Sequence, residues 1–215
     1  MRFKNNMAEV VVPKGTSTRI VQHFIDQNRE WLKKQYLSLK RNETLFWPRH
    51  FLPGESVCFQ GEKATIDLDY AGGRLTEMVA SRLIVTVDPS SQIALLEQSI
   101  REEVIQFLKR AAQSCVEECA EMMSAQLKRW PRSIRVRTVN SRWGSCGIHE
   151  DIYINWVLIL APKKILEYVV LHECCHLFYR SHGVRFWQKV ASIMPEYKQA
   201  EHWLRKFGSH LSVPM

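Results

Sequence analysis

Apolar residues along this chain change their spacing several times, and each change marks an element. Val10, Val11 and Val12 form a short strand-like run, and the PKGTST that follows supplies a turn in which Ser17 or Thr18 can cap a helix. Ile20, Val21, Phe24, Ile25, Trp31 and Leu32 then recur near a helical period. They predict an amphipathic helix over about residues 18–40, with Lys33, Lys34, Lys40 and Arg41 on its polar face. Between 45 and 90, Pro48, Pro53, Gly54, Gly61, Gly72 and Gly73 punctuate the alternating or β-branched runs SVCFQG, KATIDLDY and RLIVTVD. That texture predicts antiparallel strands joined by hairpins.

Helical spacing returns from Ile93 to Leu127, where Leu95, Leu96, Ile100, Val104, Phe107, Leu108, Ala111 and Cys115 recur at steps of three and four. Trp130-Pro131 is expected to end this helix, because proline disfavours helical geometry in the residue before it. RSIRVRTVNSRWGS alternates Ile134 and Val136 with Arg135 and Arg137, the period of a strand with one buried face. A second strand, about Ile152 to Leu158, follows a turn-like stretch from Gly144 to Asp151. Pro162 fits the first turn of a helix running to about Tyr179, and a last helix over 183–206 is broken or restarted near Pro195.

Composition narrows the picture only a little. A length of 215 residues allows one large domain or two small ones, and 46% apolar with 24% charged residues excludes a disordered or fibrous chain. No stretch reaches the roughly 18 apolar residues of a membrane span, and the basic N-terminus lacks an apolar run of signal-peptide length. The expected address is therefore cytoplasmic, with no membrane partner. Cys58, Cys115, Cys119, Cys146, Cys174 and Cys175 are dispersed in a chain too long to need disulfide staples, and they read as free thiols. The net charge of +8 favours anionic partners, although net charge bears on association and not on fold.

The chemistry is concentrated in Leu171-His172-Glu173-Cys174-Cys175-His176-Leu177. Residues four apart share a helix face, so the imidazoles of His172 and His176 can converge on one ion. Glu173 is rotated by about 100° from His172 and lies beside that ion without ligating it, free to act as general base. Neutral imidazoles suit zinc, whose open fourth position brings the pKa of a bound water to about 7. H-E-x-x-H is short enough to arise by chance. Its setting in a predicted apolar helix behind Ile165, Tyr168 and Val169 argues against three solvated surface residues.

A catalytic zinc needs a third protein ligand. His182, six residues after His176, stands at the offset used by metzincins, but Tyr179 occupies the position where that pattern places a turn-making glycine. The helix must end by other means, with Arg180-Ser181 and Gly183 nearby. Glu196 and Glu201 on the downstream helix are the rival carboxylate ligands. Cys174 and Cys175 point off the histidine face and read as small buried residues, and Cys115 with Cys119 reads as helix packing in preference to a second metal site.

These segments, taken in order, resemble a known family. Asn140 through Cys146 (NSRWGSC), Ile152 through Trp156 (IYINW), Leu160-Ala161-Pro162, HECCH, Ser181-His182 and Phe186-Trp187 are similar to the YgjP-like metallopeptidases, and the VPKG turn, the PGES-to-FQGE stretch and the long helix extend the similarity over nearly the whole chain. Around the metal, SprT-like and WLM-type proteases are similar too. The resemblance implies an α+β fold: an N-terminal helix and antiparallel strands forming an accessory region over 1–126, then a zincin-like catalytic half over 127–215 with a short sheet and an active-site helix. It implies Zn2+ on His172, His176 and His182, Glu173 as the catalytic glutamate, and a peptide or protein substrate. Cys174 departs from the leucine common in the family and keeps its apolar character.

Arg142, Arg185 and Tyr179 are the candidate oxyanion donors, and the strand near Asn140 to Trp143 is a candidate edge for an extended substrate. Trp143, Trp156 and Trp187 read first as core aromatics. A second reading keeps the metal and hydrolyses nucleoside triphosphates, with Arg135, Arg137, Arg142 and Lys163 meeting phosphates; the lack of a glycine-rich phosphate loop counts against it. A third makes the chain a nucleic-acid-binding module, using Arg132, Arg135, Arg137 and Arg142 beside a structural zinc.

Overall fold

A computed structural model describes residues 2–4, 7–9, 12, 16–27, 45–70, 75–87, 93–139 and 141–214. Within these limits the fold is α+β, with five α-helices and three small sheets. β1 (Arg2–Lys4) and β2 (Met7–Glu9) pair antiparallel, and α1 spans Thr18–Gln27. Val10, Val11, the residues 28–40 of the expected first helix, the Gly72-Gly73 pair and Asn140 lie outside the described residues.

β3 (Ser56–Phe59), β4 (Glu62–Asp69), β5 (Glu77–Val79) and β6 (Arg82–Thr86) form one sheet in the order β3-β4-β6-β5. The hairpin of SVCFQG with KATIDLDY is present as β3–β4, but RLIVTVD pairs with KATIDLDY in parallel, Ile66 facing Leu83, and forms its hairpin with β5, a strand the sequence reading did not include. The sheet is therefore mixed and not all-antiparallel. Burial explains the choice: β6 carries Leu83 and Val85, both fully buried, and takes the central place, while the short, mostly exposed β5 is left at the edge.

α2 runs over Ile93–Leu127 and packs against the η-turn Trp156–Leu160, against β7 (Ser133–Arg137) and against α3 (Lys163–Cys175). Ile100, Val104, Leu108, Ala112 and Val116 are each fully buried, a stripe four residues apart that continues through Cys119, Met123 and Leu127. Each large aliphatic side chain on it contributes roughly 1.5–3 kcal/mol by leaving water. The helix stops before Trp130: Lys128 adopts φ 55°, and the Arg129 amide bonds back to the Ser124 carbonyl, a left-handed cap.

β7, β8 (Gly144–Cys146) and β9 (Asp151–Asn155) form the second mixed sheet, in the order β7-β9-β8. The strand expected to reach Leu158 ends at Asn155, whose side chain accepts from the Val157 amide and donates to the Val139 carbonyl at 2.6 Å, turning the chain into the η-turn. α4 (Val184–Ile193) and α5 (Tyr197–Phe207) close the fold, separated at Pro195 as the sequence suggests. All six cysteines are free, and among the described residues no helix is long and apolar enough to cross a membrane.

Candidate metal centre

α3 presents the HECCH segment, and its inward residues hold it fast: Val170, Leu171, Cys174 and Cys175 are fully buried. Burial pushes both thiols up to about 12, so they stay protonated and act as small apolar groups. The helix ends at Cys175, a turn earlier than the expected Tyr179. His176, Leu177 and Phe178 donate their amides to the carbonyls of Glu173, Cys174 and Cys175, bonds to the third residue back that tighten the chain out of the α-helix. Arg180 then reaches the β8–β9 hairpin, donating to the carbonyls of Gly147 at 2.8 Å and Ile148 at 3.4 Å. This tether supplies what the missing glycine does not, and the chain turns back to carry His182 to the helix.

His182 Nε2 stands 2.9 Å from His172 Nε2, and the donor nitrogens of His172, His176 and His182 all lie within 4.8 Å of one another. Ligands about 2.0–2.1 Å from a tetrahedral zinc stand about 3.3 Å apart, a spacing that falls inside this range. The rings share a floor: Phe186, fully buried on α4, sits 4.9, 4.6 and 4.8 Å from the centroids of His172, His176 and His182. His176 Nδ1 donates to the Tyr179 carbonyl at 2.9 Å, because a carbonyl can only accept, and its Nε2 keeps a lone pair. Burial, reinforced by the neighbouring imidazoles, drives the pKa of His172 down to about 3, and burial also lowers that of His176. Neutral rings with free lone pairs are the form a metal ion binds, so the donor set fits one.

Glu173 is 6% exposed, and burial pushes its carboxyl up to about 7 against the opposing charge of Arg142. The carboxylate fits because β8 has no side chain opposite it: a Cβ on Gly144 would lie 2.6 Å from Glu173 Oε1. A cavity of about 400 Å3 opens here, lined by Arg142, Trp143, Tyr168, His172, Glu173 and Arg205 among others.

The structure thus gathers His172, His176, His182, Glu173 and Arg142. Tyr179 meets the site through its backbone carbonyl, and Arg185 lies exposed on the first turn of α4. Glu196 faces Lys164 at 3.8 Å on the surface, away from the imidazoles. Glu201 lines the cavity together with Tyr168, whose phenol pKa is raised by burial and by the Glu201 charge. Tyr168, read from the sequence only as an apolar neighbour, stands one turn before His172 with its hydroxyl 3.4 Å from Nδ1; its four-residue offset was the available signal. Trp156 is a core residue donating to Thr138 Oγ1 at 3.0 Å, whereas Trp187 stacks on His182 and Trp143 lines the cavity. Of the arginines considered for nucleic acid, Arg132 pairs with Asp151 and Arg137 lies 3.5 Å over the Tyr153 ring.

Three converging imidazoles beside a buried carboxylate at a cavity are the arrangement of a metal-dependent hydrolase. The chain belongs to the YgjP-like family: the YgjP-like metallopeptidase domain matches residues 1–207. It is a metallopeptidase-like hydrolase, and membership implies a metal ion and peptide or protein substrates. Among solved structures, the metallopeptidase zymogen abylysin of Pyrococcus abyssi is similar at 19% identity and a TM-score of 0.40, covering 43% of this chain and 95% of that one. No curated protein matches the chain.

Proposed function

We propose that this metallopeptidase is zinc-dependent, with His172, His176 and His182 holding the ion and Glu173 acting as general base. The observation that carries the reading is the convergence of three imidazole nitrogens within 4.8 Å beside a carboxylate that burial has moved up to about 7. Zinc suits an all-imidazole set and, when bound, polarises a scissile carbonyl and eases deprotonation of water. Glu173 takes the proton from the attacking water and returns it to the departing amine, a task matched to a carboxyl that titrates near neutrality. Arg142, on the wall of the same cavity, is the oxyanion donor, with Tyr179 the second candidate from the sequence. β8 pairs only with β9 among the described strands, which leaves its outer edge for an extended peptide to add a strand. All these groups fall in 127–215, which we read as the catalytic half, with 1–126 as the accessory region.

The test is turnover of zinc-loaded protein on denatured proteins, peptides and nucleoside triphosphates, with Glu173→Gln as the blank. Peptide hydrolysis that disappears in Glu173→Gln while one equivalent of zinc is retained is the expected result. Cleavage of nucleotides in place of peptides, or unchanged peptide cleavage by Glu173→Gln, refutes the assignment.

A further inference from the structure

α5 supplies no imidazole to the metal centre, yet two of its residues, Tyr197 and Glu201, one turn apart on one face, reach toward it. Tyr168 is the connection. Its ring is 5% exposed and stacks on Tyr197 at 6.4 Å, Tyr197 stacks on Trp187 at 5.3 Å, and Trp187 stacks on His182 at 5.7 Å. Its hydroxyl stands 3.4 Å from His172 Nδ1, and Glu201 lines the same cavity as Tyr168.

We infer that Tyr168 and Glu201 are positioning residues of the metal centre: the Tyr168 hydroxyl holds Nδ1 of His172, and Glu201 fixes which way that hydroxyl points. This rests on the reading that His172 is a ligand. The logic is donor counting. A phenol has one proton, and in this arrangement it goes to the Glu201 carboxylate, which accepts. The phenol oxygen is then left with lone pairs for His172, which must carry its proton on Nδ1 and present Nε2 to the ion. That is the nitrogen 2.9 Å from His182. His176 reaches the same tautomer through the Tyr179 carbonyl. A carboxylate behind a ligand imidazole also raises its basicity, and loss of such outer partners typically costs about 10–100-fold in metal affinity.

The experiment measures zinc affinity of the full chain by competition with a chromophoric chelator, alongside the melting temperature of the metal-free protein. Tyr168→Phe removes the hydroxyl and keeps the ring and its stacks, and it is expected to weaken zinc binding about tenfold or more with the metal-free melting temperature little changed. Glu201→Gln is expected to weaken binding several-fold alone and to add nothing when combined with Tyr168→Phe, since Glu201 acts through that hydroxyl. Wild-type affinity in Tyr168→Phe, or a Glu201→Gln penalty that persists in full in the double variant, overturns the inference. Should Tyr168→Phe fail to fold, unchanged affinity in Glu201→Gln alone overturns it. A His172→Ala variant that still binds one tight equivalent of zinc refutes the metal-site reading itself, a result distinct from any of these.

Discussion

Gly144→Ala isolates the fit between β8 and the catalytic carboxylate. The added Cβ would lie 2.6 Å from Glu173 Oε1, 2.7 Å from its Cγ and 2.9 Å from its Cδ. Ordinary contact begins near 3.4 Å, so the carboxylate must retreat by roughly 0.8 Å. Glu173 is 6% exposed and its one free direction is the cavity it lines, so retreat from the new methyl group carries the carboxylate out of its place beside His172. Gly144 is not in the left-handed region, so the backbone adds no strain and the whole effect is steric. Overpacking of this kind costs about 1–3 kcal/mol, equivalent in a chain of this size to a melting temperature lower by about 2–12 °C. A displacement approaching 1 Å of a group that must meet the attacking water costs on the order of a hundredfold in rate. The assay is kcat/KM on a peptide substrate, with zinc stoichiometry and thermal melting measured on the same samples. Gly147→Ala is the control: its nearest neighbour is the Asp151 carbonyl at 3.5 Å, an ordinary contact. The expected result is a large loss of kcat/KM in Gly144→Ala at one equivalent of zinc, with Gly147→Ala near wild type. Wild-type turnover in Gly144→Ala would show that the carboxylate is not held where the reaction needs it, and the assignment of Glu173 as base would go with it.

Phe186→Ala removes the floor beneath all three imidazoles and empties a fully buried site; unfolding by denaturant should show a loss of about 3–5 kcal/mol, and zinc competition a parallel loss of affinity. An unchanged denaturation midpoint would contradict the packing described. Glu55 provides a pH test remote from the metal. Burial raises its pKa, but the amides of His50, at 2.9 Å, and Leu52, at 3.0 Å, outweigh it and leave the folded value below 4.5. The folded state then holds fewer protons than the unfolded chain, so this stability is present above about pH 4.5 and is lost as pH falls through the lower folded value. Melting curves of wild type and Glu55→Gln should differ at neutral pH and converge in acid; a gap that widens in acid would reverse the sign and refute the argument.

Where periodicity is long and local, the sequence was an adequate guide. The helix from Ile93 to Leu127 has the expected bounds, because a stripe repeating every four residues over 35 residues leaves no other way to bury it. Even there the buried line runs through Ala112 and Val116, with Ala111 and Cys115 only half-buried. What escaped detection depends on partners distant in sequence. The parallel pairing of β4 with β6 is decided by which strand is most apolar once the sheet assembles, and nothing in KATIDLDY or RLIVTVD announces a direction. β8 consists of Gly144, Ser145 and Cys146, too short and too mixed to show alternation, and it is a strand because Ile154, Tyr153 and Ile152 stand opposite it.

The question of the third ligand shows the same division at the scale of one side chain. His182, Glu196 and Glu201 are all reachable from the helix by a flexible connection, so spacing alone does not rank them. Three contacts do. Arg180 ties the turn after α3 to the β8–β9 hairpin and returns His182 to within 2.9 Å of His172. Lys164 lies 3.8 Å from Glu196 at the surface, and Tyr168, which lines the cavity with Glu201, brings its hydroxyl to 3.4 Å from His172. A carboxylate one hydrogen bond removed from an imidazole supports that imidazole, whereas the same carboxylate a few ångströms closer would compete with His182 for the ion. The side chain that separates these outcomes is the phenol at 168, so the choice between ligand and support for Glu201 is made by a residue that the H-E-x-x-H pattern does not include.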